Sequence, residues 1–345
     1  MRIAQLAPLS DTVPPRSTSP VQELIHHLVE ALTERGHDVT LFASTEPQTT
    51  ATLHALPAVG HGFNRRLEYA AKILLFERGL FSDESFDVIH SHLDCLALPF
   101  ARRACSPVVT TVYDALDCSR TTELYAQFND LPLVSHSERR RSHVPTAQWV
   151  ATIYPGLPED SVQFRPNAGG YLAYLGPPSS RPLHPLLRSL SHETGIPFRM
   201  AGVLPAHYRA SAQDVRRQLE RHGIEYIGAL SDAEEEAFLG EALAVILPEG
   251  STTLSSLTAI KALACGTPLL TVGAHPDAEL IEHGITGFIC ARHEEMAWAV
   301  TQAAGLDRRH CRDAFEANFT LDRMVEEYLT VYKTVRDART SLKLQ

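Results

Sequence analysis

Residues Leu247–Leu270 read LPEGSTTLSSLTAIKALACGTPLL. An apolar run ends at Leu247 and a turn carrying Pro248 and Gly250 follows it. The apolar spacing of Leu257–Ala264 then predicts a short helix, stopped by Gly266 and Pro268, before a second apolar run at Leu269–Val272. Strand, helix and strand in so short a span predict two parallel strands joined by a helical crossover. One residue stands out inside that helix. Lys261 is one of only four lysines, with Lys72, Lys333 and Lys343.

The same alternation extends outward in both directions. Toward the N-terminus, strands are expected at Arg2–Pro8, Asp38–Ser44, Phe86–His92, Pro107–Tyr113, Leu131–Ser137 and Trp149–Tyr154, with a helix at Pro20–Arg35. A Pro- and Gly-rich passage, YPGLPEDSVQFRPNAGG at Tyr154–Gly170, is the best linker in the chain. Beyond it, strands fit Tyr171–Gly176, Phe198–Val203, Ile224–Leu230, Ala242–Leu247, Leu269–Val272 and Gly287–Cys290. Helices fit Ala206–His222, Asp232–Gly240, Glu294–Ala304 and about Leu321–Ala338. Continuous apolar strands separated by helices are what a parallel sheet covered on both faces requires. The expected class is α/β, with two doubly wound, Rossmann-like domains in tandem.

Bulk properties agree. A chain of 345 residues is too long for one ordinary core. Its 44% hydrophobic and 21% charged residues are those of a soluble globular protein. No apolar run approaches the ~20 residues of a bilayer span, and MRIAQLAPLSDTVPP lacks the pattern of a signal peptide. The net charge of −10 argues against a nucleic-acid partner. The six cysteines form no C-x-x-C pair and read as buried thiols of a cytoplasmic protein.

Several runs, taken together and in order, resemble the retaining nucleotide-sugar glycosyltransferases of family 4. They are MRIAQLAPL, ERGHDVTLFAS, FDVIHSHLD, PVVTTVYDALD, YLAYLG, GIEYIGALSDAEEEAFLGEALAVILPE, ALACGTPLLTVG and ELIEHGITGFI. The resemblance implies the GT-B fold, two Rossmann-like domains facing a cleft. An acceptor-side domain would occupy residues 1–160 and a nucleotide-sugar-side domain residues 161–320. A C-terminal helix within 321–345 would cross back to the first. It implies a nucleotide-sugar donor, no cofactor and no metal.

The resemblance also implies particular donor-site residues, and this chain departs from most of them. The family's paired glycines fall on Ser19 and Pro20, and its sugar-contacting histidine falls on Tyr113. The Arg and Lys that would face a leaving diphosphate fall on Pro177 and Pro182, with Arg181 adjacent as a substitute cation after Gly176. The Glu-x7-Glu pair falls on Thr253 and Lys261. A lysine donates and cannot accept, so the contact at Lys261 is inverted in polarity. Remaining donor-binding candidates are Glu249 and the hydroxyls of Ser251, Thr252, Thr253, Ser255 and Ser256 at the helix start. Two functions follow as expectations: sugar transfer with a rebuilt donor site, or a catalytically inactive subunit that binds a ligand or a protein partner.

His90 and His92 in IHSHLD share one strand face near Asp94, a spacing open to metal binding, but structural histidines are the better reading. Arg139, Arg140 and Arg141 read as a solvated helix start.

Overall fold

The structure, a computed structural model, describes residues 1–15, 19–44, 48–57, 65–81, 84–113, 116, 119–177, 183–203, 212–247, 255–273 and 275–343. The chain divides into two compact units, Met1–Leu157 with Leu321–Gln345, and Pro158–Thr320.

The first unit begins β1 (Arg2–Leu6), α1 (Pro20–Glu34), β2 (Asp38–Ser44), β3 (Thr52–Leu56), α2 (Arg65–Leu80) and β4 (Val88–Ser91). It continues α3 (Leu98–Ala101), β5 (Val108–Val112), α4 (Ser119–Ala126), β6 (Leu133–Ser135), α5 (Glu138–Arg141) and β7 (Trp149–Thr152). Its seven strands are ordered β3-β2-β1-β4-β5-β6-β7. The second unit runs β8 (Leu172–Leu175), α6 (Leu183–Thr194), β9 (Phe198–Ala201), α7 (Ala212–Glu220), β10 (Ile224–Gly228) and α8 (Asp232–Gly240). There follow β11 (Ala244–Leu247), α9 (Ser255–Cys265), β12 (Leu269–Val272), β13 (Gly287–Cys290), α10 (Met296–Ala303) and α11 (Arg308–Asn318). Its six strands are ordered β10-β9-β8-β11-β12-β13. Every pairing in both sheets is parallel.

Both sheets are therefore doubly wound, with the strand order reversing between β1 and β4 in one and between β8 and β11 in the other. The central strands are buried on both faces, as their unbroken apolar sequences require: VVTTV in β5 and AVIL in β11 are buried at every position. In the second unit Leu172, Phe198, Ile246 and Leu270 of the strands pack with Leu187, Leu219 and Val300 of the helices. The crossover quoted at the outset folds as expected, and Gly266 ends α9 with φ +86° while its N–H bonds the Leu263 carbonyl at 2.9 Å. Thr267 N–H reaches the Ala262 carbonyl at 2.8 Å, so two of the last helical carbonyls are satisfied.

The last helix, α12 (Leu321–Lys343), belongs to the first unit and packs on α1, β4 and β5. Met324, Val325, Tyr328, Leu329, Tyr332 and Val335 recur at helical spacing and are all buried. Six elements lie outside the sequence expectation: β3, α2, α3, α4, α6 and α11. The edge strand β3 is half exposed and has no apolar run. In α11 the buried positions Arg308, Cys311, Arg312 and Phe315 have helical spacing, but two are arginines, which hides the stripe from hydropathy.

Candidate functional site

The C-terminal ends of β1, β4 and β5 carry a buried polar network in the first unit. Gln5 Nε2 donates to the Tyr332 hydroxyl at 3.0 Å, and that hydroxyl is 2.7 Å from His90 Nδ1. His90 Nε2 lies 2.7 Å from the Thr111 hydroxyl, which reaches the Tyr328 hydroxyl at 3.0 Å. His92 Nε2 donates to Gln5 Oε1 at 2.8 Å, which leaves His92 Nδ1 to accept from the Tyr113 hydroxyl at 2.8 Å. One ordering of protons satisfies every ring nitrogen in this chain of bonds. Burial holds both histidines neutral: His90 lies well below its usual range, helped by His92, and His92 falls to about 3. Tyr328 and Tyr332 are one helical turn apart on α12, so the network fastens that helix to the sheet.

Tyr113 follows β5 directly and is 4% exposed. Its ring stacks between His92, with centroids 5.9 Å apart, and His136, at 5.7 Å. His136, the residue after β6, bonds the Val112 carbonyl through Nδ1 at 2.9 Å, so Nδ1 carries the proton and Nε2 presents a lone pair. That Nε2 is buried and has no partner. Burial first, then the Arg140 charge, holds the His136 imidazole neutral with a pKa of about 3. His92, Tyr113 and His136 line a cavity of about 10 Å³, room for about one water, closed by Leu24 and Leu28 of α1 and Met324 of α12.

The second unit has its strand reversal between β8 and β11, the position where doubly wound sheets bind ligands. Gly176 follows β8, and its N–H bonds the Ala201 carbonyl at 2.8 Å. The space a Cβ would fill there is taken by the Tyr174 hydroxyl. After β11 comes α9, whose first turn carries Ser256. Its side chain is 1% exposed and its hydroxyl has no hydrogen-bond partner. Two turns into α9, Lys261 Nζ lies 3.0 Å from Glu235 Oε1 of α8, a pair with side-chain exposures of 13% and 5%.

Known proteins match this arrangement. The model of Glycosyltransferase Family 4 matches residues 21–156, and that of Glycosyl transferases group 1 matches residues 183–305. The chain is a family 4-like glycosyltransferase. No curated protein matches the sequence. Among solved structures, sucrose-phosphate synthase from Thermosynechococcus elongatus is similar at TM-score 0.76 and 13% identity, over 98% of this chain and 99% of that one. AviGT4, a glycosyltransferase involved in avilamycin A biosynthesis, is similar at TM-score 0.69 and 18% identity, over 97% and 98%. HepE of Anabaena, in complex with UDP and glucose, is similar at TM-score 0.73 and 13% identity, over 97% and 100%. These likenesses establish the GT-B fold of two Rossmann-like domains.

The expected family 4 positions meet different fates. Ser19, just before α1, bonds Gln22 through its hydroxyl, and Gln22 Nε2 donates to Ser10 at 3.0 Å. Tyr113 has its hydroxyl engaged by His92, so it points at a neighbour and not into open space. Lys261 is engaged by Glu235. Arg181, Pro182, Glu249, Ser251, Thr252 and Thr253 lie outside the described residues, as does the side chain of Ser255. Among the described residues, Gly176, Ser255 and Ser256 stand at the strand reversal. The reading of Arg139–Arg141 as a solvated helix start is corrected at Arg140, which is 5% exposed. His136 and Arg140 were not singled out from the sequence as site residues. Their signal was SHSERRR, polar residues directly after an apolar strand in a parallel sheet. Among the described residues no cluster of His, Cys, Asp and Glu is placed to hold a metal ion, and no helix is long and apolar enough to cross a membrane.

Proposed function

We propose that this chain transfers a sugar from a nucleotide-sugar donor held by the second unit to an acceptor taken by the first. The donor site is rebuilt from Gly176, Arg181, Glu249, Thr253, Ser255 and Ser256 in place of the family's charged pairs. The observation that carries this reading is the Ser256 hydroxyl. A buried hydroxyl without a partner is disfavoured by about 1–3 kcal/mol, and this one opens an 11-residue helix at the strand reversal. Ser256 there joins the N–H groups of a helix start, which favour an anion such as a diphosphate. The complexes of HepE with UDP and with UDP-glucose support the donor class.

The Lys261–Glu235 pair favours a second reading, an inactive subunit, because it fills with an internal ion pair the position where the family has a ligand-binding carboxylate. Calorimetric titration with UDP, GDP and ADP and their hexose conjugates separates the two. Binding of one nucleotide at micromolar strength, weakened about tenfold by Ser256→Ala, supports transfer. Absence of binding to any of them by the folded protein replaces transfer with the partner-subunit reading.

A further inference from the structure

Three arginines are at least nine-tenths buried among the described residues, and they differ in what they bond. Arg308, 5% exposed, donates to the carbonyls of Arg165, Ala242 and Gly240 and to the Thr267 hydroxyl at 2.6–2.9 Å. Arg312, 8% exposed, reaches Glu316 and the carbonyls of Val162, Ala264 and Glu159 at 2.6–3.1 Å. Arg140, 5% exposed, makes one side-chain bond, from Nη1 to the Tyr113 carbonyl at 3.3 Å. Its Nε is buried without a partner, and no carboxylate among the described residues lies within ion-pair distance. Asp94, the acid tied to the same strand end, accepts the Tyr113 N–H at 2.6 Å.

A guanidinium has five N–H donors, and a buried cation without a counter-charge is strongly disfavoured. Arg140 is held in place nevertheless. Its backbone N–H is capped by the Ser137 hydroxyl at 3.2 Å, directly after β6. One residue before Ser137, the His136 Nε2 lone pair is also buried and unmatched. An unmet donor, Arg140 Nε, and an unmet acceptor, His136 Nε2, thus both follow β6, and each residue also bonds a carbonyl at the C-terminal end of the adjacent β5.

We infer that Arg140 binds an oxyanion, a phosphate or a carboxylate, carried by a hydroxylated ligand of the first unit. The ligand is the sugar acceptor, and to that extent the inference rests on the acceptor-side reading of this unit. The planar fork of an arginine matches either oxyanion with two parallel bonds. The His136 lone pair then takes one hydroxyl of the same ligand, a contact that a phosphate oxygen alone could not make.

The test is thermal unfolding of the full chain with glucose 6-phosphate, glucuronate or glucose, for the wild type, Arg140→Met and Arg140→Lys. A rise of several degrees in Tm with glucose 6-phosphate or glucuronate, but not with glucose, is expected for the wild type. The more effective of the two names the oxyanion. Arg140→Met loses that shift and, without ligand, melts no lower than the wild type, because an unmatched buried charge has been removed. Arg140→Lys keeps the charge without the fork and shows a reduced shift. The inference is overturned if neither anion shifts the wild type, or if the shift survives in Arg140→Met. It is equally overturned if Arg140→Met melts lower or fails to fold, since the carbonyl bond would then be the whole role of the residue. Titration of Arg140→Met with UDP keeps the questions apart. Retained nucleotide binding with a lost anion shift locates the anion in the first unit, and an anion shift without UDP binding in the wild type removes the donor reading alone.

Discussion

The two units share one strand order, and the network under α12 in the first differs from the start of α9 in the second in how its polar side chains are finished. In the first, seven side chains on or just past β1, β4 and β5 and on α12 exchange hydrogen bonds until the ring nitrogens of His90 and His92 are all matched. In the second, the hydroxyl of Ser256 at the strand reversal is matched by nothing. A closed network in a low-dielectric interior fixes packing, and an open one is positioned for something that arrives later. Residue type alone does not separate the two, since histidines paired on a strand attract attention and a serine does not. Satisfaction of hydrogen bonds does.

That contrast can be broken by substitution. The largest effect is expected at the Lys261–Glu235 pair. Lys261→Met strands a carboxylate that is 5% exposed and lowers unfolding stability by about 4 kcal/mol, while adding Glu235→Gln recovers most of the loss. Urea unfolding of the two variants measures it, and an unchanged midpoint for Lys261→Met removes the pair from the account of stability. Next comes Tyr332→Phe, which deprives both Gln5 Nε2 and His90 Nδ1 and costs about 3 kcal/mol by the same measurement. A loss below about 1 kcal/mol contradicts the closed network.

A smaller effect concerns pH. His136 is held at about 3 when folded, against about 6.5 in an unfolded chain. The unfolded state therefore binds the extra proton first, so stability is full above pH ~6.5 and declines as pH falls toward 3. Between those limits each such histidine contributes about 1.4 kcal/mol per pH unit. His92 has the same shift and sign. His136→Gln should flatten the slope of stability between pH ~5.5 and 4 by about that amount, measured by urea unfolding across the range. An unaltered slope shows that His136 is already protonated in the folded protein. The smallest loss is expected for Ser256→Ala, none at all or a gain of up to about 1–3 kcal/mol, because no native bond is lost and an unmatched buried hydroxyl is removed. A larger loss would make Ser256 a structural residue and weaken the donor proposal.

Legibility was uneven for physical reasons. The strands β2, β12 and β13 are where their apolar runs predict, because burial on both faces of a parallel sheet leaves no alternative to a continuous apolar sequence. The edge strand β3 escaped because only Leu56 of its five residues is buried. The stripe of α11 escaped because Arg308 and Arg312 occupy core positions where four acceptors apiece receive them. Among site residues, Lys261 was legible as an anomaly. Its partner was not, since Glu235 is 26 residues away and belongs to another helix.

By itself, the sequence determined the doubly wound architecture and the likeness to a family of transferases. Both rest on local apolar period and on the order of short motifs, which neighbouring residues settle among themselves. Only the tertiary structure decided which polar groups are matched: Tyr113 taken by His92, Lys261 taken by Glu235, and Ser256, His136 and Arg140 left with bonds to make. A hydrogen bond needs an acceptor within about 3 Å, and in a folded chain that acceptor comes from anywhere along it.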